Sequence, residues 1–380
     1  MAKKMLFLFV LLLSLTGMLK AQVTTAGMSG KVVADEEAVI GATVVAVHEP
    51  SGTSYGTVTN VDGRFSLQGM RSGGPYKVTV SYIGYQTAIY TGIQLQLGET
   101  YSLNVTLHEA SELLGEITIT ASKSKFSAEK TGATTNISSE QLTTLPSINR
   151  SISDFTRISP YASGNSFGGR DGRSNTFTVD GANLNNNFGL SSGLPGGGNP
   201  ISLDAIDEVQ VVIAPYDVRQ ANFIGAGINA ITKSGTNAYR GSAYMYFNNE
   251  VMRGNKIGDT DFGARAEESK TVYGATFGGP IIKDKLFFFA NVEYEKSPQQ
   301  VITWRAAKEG EDPNNSTISR TTEADLAEFS QILKDKYGYN TGSFTDFPAD
   351  VTNLKLLGRI DWNINQGNKL SVRYNFTNNK

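Results

Sequence analysis

Between residues 239 and 380 the chain alternates apolar and polar side chains in five short runs, joined by connections that go long, short, long, short. Leu354, Leu356, Ile360, Trp362 and Ile364 share one parity, while Lys355, Arg359, Asp361 and Asn363 hold the other. In the next run Leu370, Val372, Tyr374 and Phe376 alternate with Ser371, Arg373, Asn375 and Thr377. Successive strand side chains point to opposite faces, so each run has one apolar wall and one polar wall. A soluble sandwich alternates in the same way, and the connections separate the two cases. Those around Ile282–Lys285 and Asn365–Asn368 are tight, whereas Glu250–Lys270 and Ser297–Val351 are long, polar and charged. Short turns facing long loops are the pattern of an outer-membrane β-barrel.

The remaining runs are expected at Gly241–Asn249, Lys270–Gly279 and Leu286–Glu295, each near the length that crosses a bilayer at a tilt. Phe287 and Phe289 fall on the polar parity, which makes that inner face partly aromatic, and are expected to pack on the plug. The second long connection carries a helix signal, with Leu326, Phe329, Ile332 and Leu333 after Thr322 and a stop at Gly338. An open sheet in lipid would leave unpaired edges, each exposing on the order of ten backbone polar groups at several kcal/mol apiece. That cost is prohibitive against a domain stability of about 5–15 kcal/mol. Five strands are therefore expected to be the start of a longer barrel, and the chain an N-terminal fragment of a longer reading frame.

At the N-terminus Lys3 and Lys4 precede an apolar run, Met5 to Leu19, and Ala21 stands before Gln22. This is the layout of a secretory signal peptide cleaved between Ala21 and Gln22. A formal charge of −2 gives no basic face for nucleic acid. There is no cysteine, hence no thiol nucleophile, disulfide or cysteine metal site. His48 and His108 are the only histidines and lack partners at ligand spacing, so both are expected to be solvated, with no metal and no cofactor.

From Gly27 to His108 short alternating strands recur between turn signals. Tyr76, Val78, Val80 and Tyr82 share one parity, as do Tyr101, Leu103, Val105 and Leu107. This predicts two packed sheets. Ile40-Gly41-Ala42-Thr43-Val44, Asn60-Val61-Asp62-Gly63-Arg64-Phe65 and Ser81-Tyr82-Ile83-Gly84-Tyr85-Gln86 resemble the carboxypeptidase regulatory-like domain. That family module is a non-catalytic sandwich, so the resemblance implies no peptidase.

Leu114-Gly115 then leads into Glu116, Ile117, Thr118, Ile119, Thr120 and Ala121. These six residues resemble the TonB box of energy-coupled outer-membrane receptors. The physical logic is strand addition, in which an exposed extended segment pairs with the edge of a partner's sheet. The same residues also suit an ordinary structural strand.

From Thr131 to Asn237 the pattern is mixed α/β. Ser138 and Gln141 form a capping box ahead of a helix that stops near Pro146, and Ile152, Phe155 and Ile158 mark a second helix ending before Pro160. Strands are expected at Thr176–Val179, Glu208–Ile213 and Ile228–Thr232. Leu145–Ile152, the string Thr178, Val179, Asp180, Gly181, Ala182, Asn183, and the string Ala230, Ile231, Thr232, Lys233, Ser234, Gly235, Thr236, Asn237 resemble the plug of TonB-dependent transporters. The likeness is to the Oar-like branch common in Bacteroidetes-type bacteria. Gly169-Arg170-Asp171-Gly172-Arg173 lacks the ending and preceding strand of a phosphate loop. Arg170, Asp171 and Arg173 are expected to form salt bridges that hold the plug together or line the lumen. No serine, histidine and acid set forms a nucleophile elbow, so no enzyme is expected.

The chain thus reads as mainly β in five parts. They are a signal peptide (1–21), a carboxypeptidase regulatory-like β-sandwich (22–109), a linker with the TonB-box-like segment (110–130), a plug (131–238) and the truncated start of a transmembrane β-barrel (239–380). The resemblance implies a barrel of about 22 strands in the bacterial outer membrane, with the sandwich in the periplasm. It also implies a TonB-type energy-coupling partner, contact with outer-membrane lipid, a surface-exposed substrate-binding lipoprotein, and import of oligosaccharides, peptides or metal chelates. The rival reading is a secreted or surface β-sandwich that binds or adheres without transport.

Overall fold

The computed structural model describes residues 23–109, 117–120, 133–147, 150–185, 194, 199–215, 217, 219–254, 256–261, 269–300, 305–308, 311, 318–344, 348–349 and 351–380. The expected cleavage site at Ala21 and Gln22, and Glu116 and Ala121 of the TonB-box-like segment, lie outside these residues. Two compact units form. One comprises Met1–Gly241, Thr276–Asn291 and Leu357–Asn375, the other Ser242–Ala275, Val292–Leu356 and Phe376–Lys380.

The first unit begins with a two-sheet sandwich built from β1 (Ala26–Ala34), β2 (Thr43–His48), β3 (Thr53–Val58), β4 (Arg64–Met70), β5 (Gly73–Ser81) and β6 (Ala88–Leu95). One sheet sets β1 antiparallel to β4 and parallel to Thr100–Ser102 and Val105–Thr106. The other runs β6-β5-β2-β3, with β7 (Ile117–Thr120) added beyond β6. Alternation drives the packing: Val44 and Ala46 of β2 and Tyr76, Val78 and Val80 of β5 share a core with Met28, Val32, Phe65 and Leu67. Each large apolar side chain buried there contributes about 1.5–3 kcal/mol.

The sequence expectation for His48 needs correction. It is buried, not solvated, with its Nδ1 2.7 Å from the Ser51 hydroxyl and its ring 5.0 Å from that of Tyr76. The hydroxyl satisfies the imidazole, which is what permits burial. Burial, and then the nearby Arg71 charge, pushes the imidazole down to about 3, so it is neutral at ordinary pH. His108 is exposed.

The plug follows in the same unit as β8 (Ala133–Ser138), α1 (Ser139–Thr144), α2 (Ile152–Thr156), β9 (Thr176–Val179), β10 (Ile206–Ala214) and β11 (Gly227–Thr232). Its sheet runs β8-β10-β11-β9 and ends on Ala182–Asn183. Ser138 caps α1 through the expected box with Gln141. A second box, Ser151 with Asp154, caps α2, which ends at Thr156 and leaves Ile158 outside it and exposed. Phe155, Phe167, Phe177, Val209 and Val211 form the plug core, joined by Phe289 and Leu357 from wall segments of this unit.

Five longer strands make the wall, in the order β12 (Arg240–Asn249), β13 (Ser269–Ile282), β14 (Leu286–Lys296), β15 (Thr352–Asn363) and β16 (Lys369–Asn379). Chain neighbours are sheet neighbours, as the turn pattern requires. Within the first unit the polar parity is buried and the apolar parity exposed: Asn291 and Asp361 are buried, while Phe277, Ile360, Trp362 and Val372 are exposed. The second unit repeats this. Glu293, Lys355 and Asn353 are buried while Val292, Tyr294, Tyr273 and Leu356 face out. Lys355 Nζ lies 2.9 Å from Glu293 and 3.6 Å from Glu295, and Lys270 lies 2.8 Å from Glu295. A soluble sheet does the reverse, since charged groups stay in water. Apolar out and polar in is the wall of a membrane barrel. The second unit also holds α3 (Glu323–Tyr337), boxed by Thr322 and Asp325 and closed by left-handed Gly338; its Phe329 and Ile332 are exposed.

Candidate functional site

Asp180 ends β9 in a two-residue turn with Gly181. Both have positive φ, +50° and +85°, and Val179 pairs with Ala182 across them. Two left-handed residues in a tight hairpin suit Asp-Gly, because Asp tolerates that region and Gly meets no penalty there. Parallel pairing of β9 with β11 then brings the Asp180 carboxylate to the end of β11. There it accepts from the Thr232 amide at 3.0 Å and the Thr232 hydroxyl at 2.6 Å.

Two wall arginines close on this corner. Arg359 Nη1 donates to the Thr232 carbonyl at 2.5 Å and stands 3.8 Å from Asp180 Oδ1. Arg373 Nη1 donates to the Asp180 carbonyl at 2.8 Å, with its Nε 3.5 Å from the carboxylate. The other side of the Arg359 guanidinium forks onto Asp361 at 2.8 and 3.0 Å. Ser371 donates to Asp361 at 2.5 Å, and Arg71 of the sandwich reaches it at 3.6 Å. The Asp180 and Asp361 carboxylates are almost fully buried, at 5% and 4% side-chain exposure, so each is held by partners rather than by water. The cluster is a latch between plug and wall. Nothing in it is poised for bond-breaking chemistry, and among the described residues no group of three or more metal-ligating side chains occurs.

The other plug-motif residues extend the attachment. The Lys233 amide donates to Ala205, and Gly235 passes so close to the wall that a Cβ would lie 2.5 Å from the Phe288 carbonyl and 2.7 Å from that of Gly279. Ser234 lies between them in the chain, and the Thr236 hydroxyl donates to Ala238. Asn237 exchanges hydrogen bonds with Asp284 at 2.6 and 2.9 Å, and its amide donates to Pro50 of the sandwich. Asn363 adds a bond to Thr53 at 2.9 Å. A second clasp ties sandwich to plug: the Leu97 amide donates to both Glu208 oxygens at 3.0 and 3.1 Å, and Gln210 donates to the Leu97 carbonyl at 2.5 Å. Burial pushes the Glu208 carboxyl up to about 8 despite the Leu97 amide, and Asp207 and Glu99 add to the rise.

Arg170, Asp171 and Arg173 are elsewhere. Asp171 and Arg173 form one local pair at 2.8 Å across a short turn, both more than half exposed. The hydrogen bonds and charge of Arg173 hold the Asp171 carboxyl below its ordinary range. Arg170 contributes a backbone bond to Phe167. The charges that join plug to wall are instead Asp180, Arg359, Arg373 and Asp361. Sequence reasoning selected Asp180 for its motif and placed the other three only on the polar parity. A charge on the inward parity of a membrane strand was the signal available. Of the TonB-box-like segment, Ile117, Thr118, Ile119 and Thr120 form β7, paired in parallel with Ala88–Thr91 of β6 as an edge strand of the sandwich. One side of that strand is thus occupied within the chain.

A sandwich, a plug latched to strands, and a wall with its apolar face outward define an outer-membrane β-barrel protein. Residues 27–108 match the carboxypeptidase regulatory-like domain family and residues 231–380 the outer membrane beta barrel domain family. The chain is a homologue of the TonB-dependent transporter Oar of Myxococcus xanthus, with 25% identity over 339 residues, covering 84% of this chain and 30% of that protein. Similar solved structures include the siderophore receptor PirA of Acinetobacter baumannii (19% identity, TM-score 0.42, 65% of this chain and 31% of that one). Another is the ferric enterobactin receptor PfeA of Pseudomonas aeruginosa (14%, 0.43, 66% and 34%). The chain spans about a third of the length of these relatives.

Proposed function

We propose that this chain is the N-terminal part of a TonB-dependent outer-membrane transporter that imports an oligosaccharide or peptide. In this reading it performs no chemistry of its own. The sandwich faces the periplasm, the plug blocks the barrel, and a TonB-type protein engages Glu116–Ala121 by strand addition and draws on the plug. A surface lipoprotein hands the ligand to the outer loops. The observation that carries the reading is the Asp180–Arg359–Arg373 latch: a plug held to its wall through a few named side chains can be released by pulling on the chain that precedes it. The relationship to Oar supports it, as does the outward apolar face of β13–β16.

The test uses the complete transporter in detergent and the periplasmic domain of the TonB-type protein from the same genome, with binding measured by biolayer interferometry. Ile119→Pro removes a main-chain donor from the segment and should abolish binding, whereas Ile119→Ala should retain most of it. Equal binding by the proline variant and the wild type would refute the assignment.

A further inference from the structure

Arg71 sits in the tight connection between β4 and β5, and two tyrosines fix its backbone. Its amide donates to the Tyr55 hydroxyl at 3.2 Å, and its carbonyl accepts from the Tyr76 hydroxyl at 2.8 Å. Its side chain leaves the sandwich altogether. The guanidinium lies 5.7 Å from the centre of the Phe287 ring and 3.6 Å from Asp361 Oδ2, while its buried Nη1 has no hydrogen-bond partner. Among the described residues no sandwich carboxylate pairs with this part-buried guanidinium, so packing within the sandwich does not account for its placement.

The carboxylate it reaches is the one that Arg359 grips. Arg359 Nε and Nη2 point at Asp361, and Nη1 points at Thr232 and Asp180. Arg71 supplies part of the charge that Asp361 needs. Without Arg71, the buried Asp361 loses one of the cations that hold it in place, and the Arg359 guanidinium that it orients can shift off the Thr232 carbonyl.

We propose that Arg71 is a positioning residue of the plug latch, acting through Asp361 to hold Arg359 across both the wall carboxylate and the plug corner. The sandwich is then wired to the plug: lifting it off the wall withdraws Arg71 and loosens the grip on Thr232 and Asp180. This rests on the reading that the plug must move for uptake, and gives the sandwich a part in timing that movement.

The test is hydrogen exchange of the complete transporter in detergent, read at the Thr232 amide, which donates to Asp180. Arg71→Met should speed exchange there about fivefold or more, while strand β5 keeps its protection. Arg71→Lys keeps the charge and should stay within about twofold of wild type. In an Asp361→Asn background, Arg71→Met should add nothing further. Unchanged exchange in Arg71→Met, or an equal added effect in the Asp361→Asn background, would overturn the proposal. If Arg71→Met lost β5 protection, Arg71→Gln would be judged by the same criteria. Exchange requires no energy-coupling partner, so failure of the transport reading, seen as unimpaired partner binding by Ile119→Pro, is a separate result.

Discussion

Arg359 and Asp361 stand two residues apart on one face of β15 and form a two-point ion pair, Nε to Oδ2 at 2.8 Å and Nη2 to Oδ1 at 3.0 Å. Period two puts both on the inward face, where the pair fixes the guanidinium plane and leaves Nη1 for the plug. The plug thus meets a preset cation.

Arg359→Met should weaken plug retention strongly, because it removes the cation that Asp180 and Asp361 share in a buried site; removing one partner of such a pair costs about 3–5 kcal/mol. Asp180→Asn should cost less, since the amide oxygen still accepts from Thr232. The measurement is channel conductance of the complete protein in planar bilayers as urea is raised. Arg359→Met should open at markedly lower urea than wild type, with Asp180→Asn between them. Identical thresholds for all three would exclude a latch at this corner.

Glu208 gives the clasp between sandwich and plug a pH dependence. Its carboxyl is raised from 4.5 to about 8 when docked, with burial the largest cause. A raised folded-state value means that its contribution is complete below its ordinary value and is lost as pH rises through about 8. Glu208→Gln removes the buried charge. It should match wild type in thermal stability near about pH 4 and exceed it increasingly up to about pH 8, above which the difference levels off. A difference independent of pH would show that Glu208 does not titrate in the clasp.

Much of this arrangement was legible in the chain. Period-two alternation located all five wall strands to within a few residues, and Ser138 and Gln141 announced α1, because local pattern and capping chemistry are written in adjacent residues. What could not be read was pairing at a distance. Arg71 and Asp361 are far apart in sequence and meet only because the sandwich docks on the wall. His48 looked solvated because the Ser51 hydroxyl that satisfies it reaches it only through the Pro50–Gly52 turn. Ile117–Thr120 suited an exposed strand equally well before β6 offered it an edge.

In the second unit Tyr244 crosses Gly274 to donate its hydroxyl to Glu293 at 2.9 Å, and a Cβ on Gly274 would lie 2.1 Å from the tyrosine ring. Gly274→Ala should push the ring aside and break that bond, with the overpacking costing about 1–3 kcal/mol. Tyr244→Phe keeps the ring and loses only the hydroxyl, so it should cost about 0.5–1.5 kcal/mol. Heat-dependent gel migration of the complete barrel would rank them, with wild type unfolding at the highest temperature and Gly274→Ala at the lowest. The order reversed would mean that the ring, not the glycine, tolerates displacement.

Trp362 tests which face of the wall meets lipid. It lies on the exposed parity of β15, 46% accessible, close to the Asn365–Asn368 turn. Indole rings favour the headgroup boundary, and a strand's end at a short turn is at that depth. The chain's other tryptophan is Trp304, so Trp304→Phe in a complete protein cleared of further tryptophans leaves one reporter. In vesicles, Trp362 fluorescence should be quenched strongly by lipids brominated near the headgroup end of the acyl chain, and less by those brominated at its tip. Aqueous iodide should quench it weakly. A soluble sandwich would give the opposite, with strong iodide quenching and no response to brominated lipid. Trp362→Asp should also impair assembly, because a charge on the lipid face near the interface costs about 0–1 kcal/mol there and more as the strand deepens. Ile360→Asp, two residues farther from the turn on the same face, should therefore be the more damaging variant.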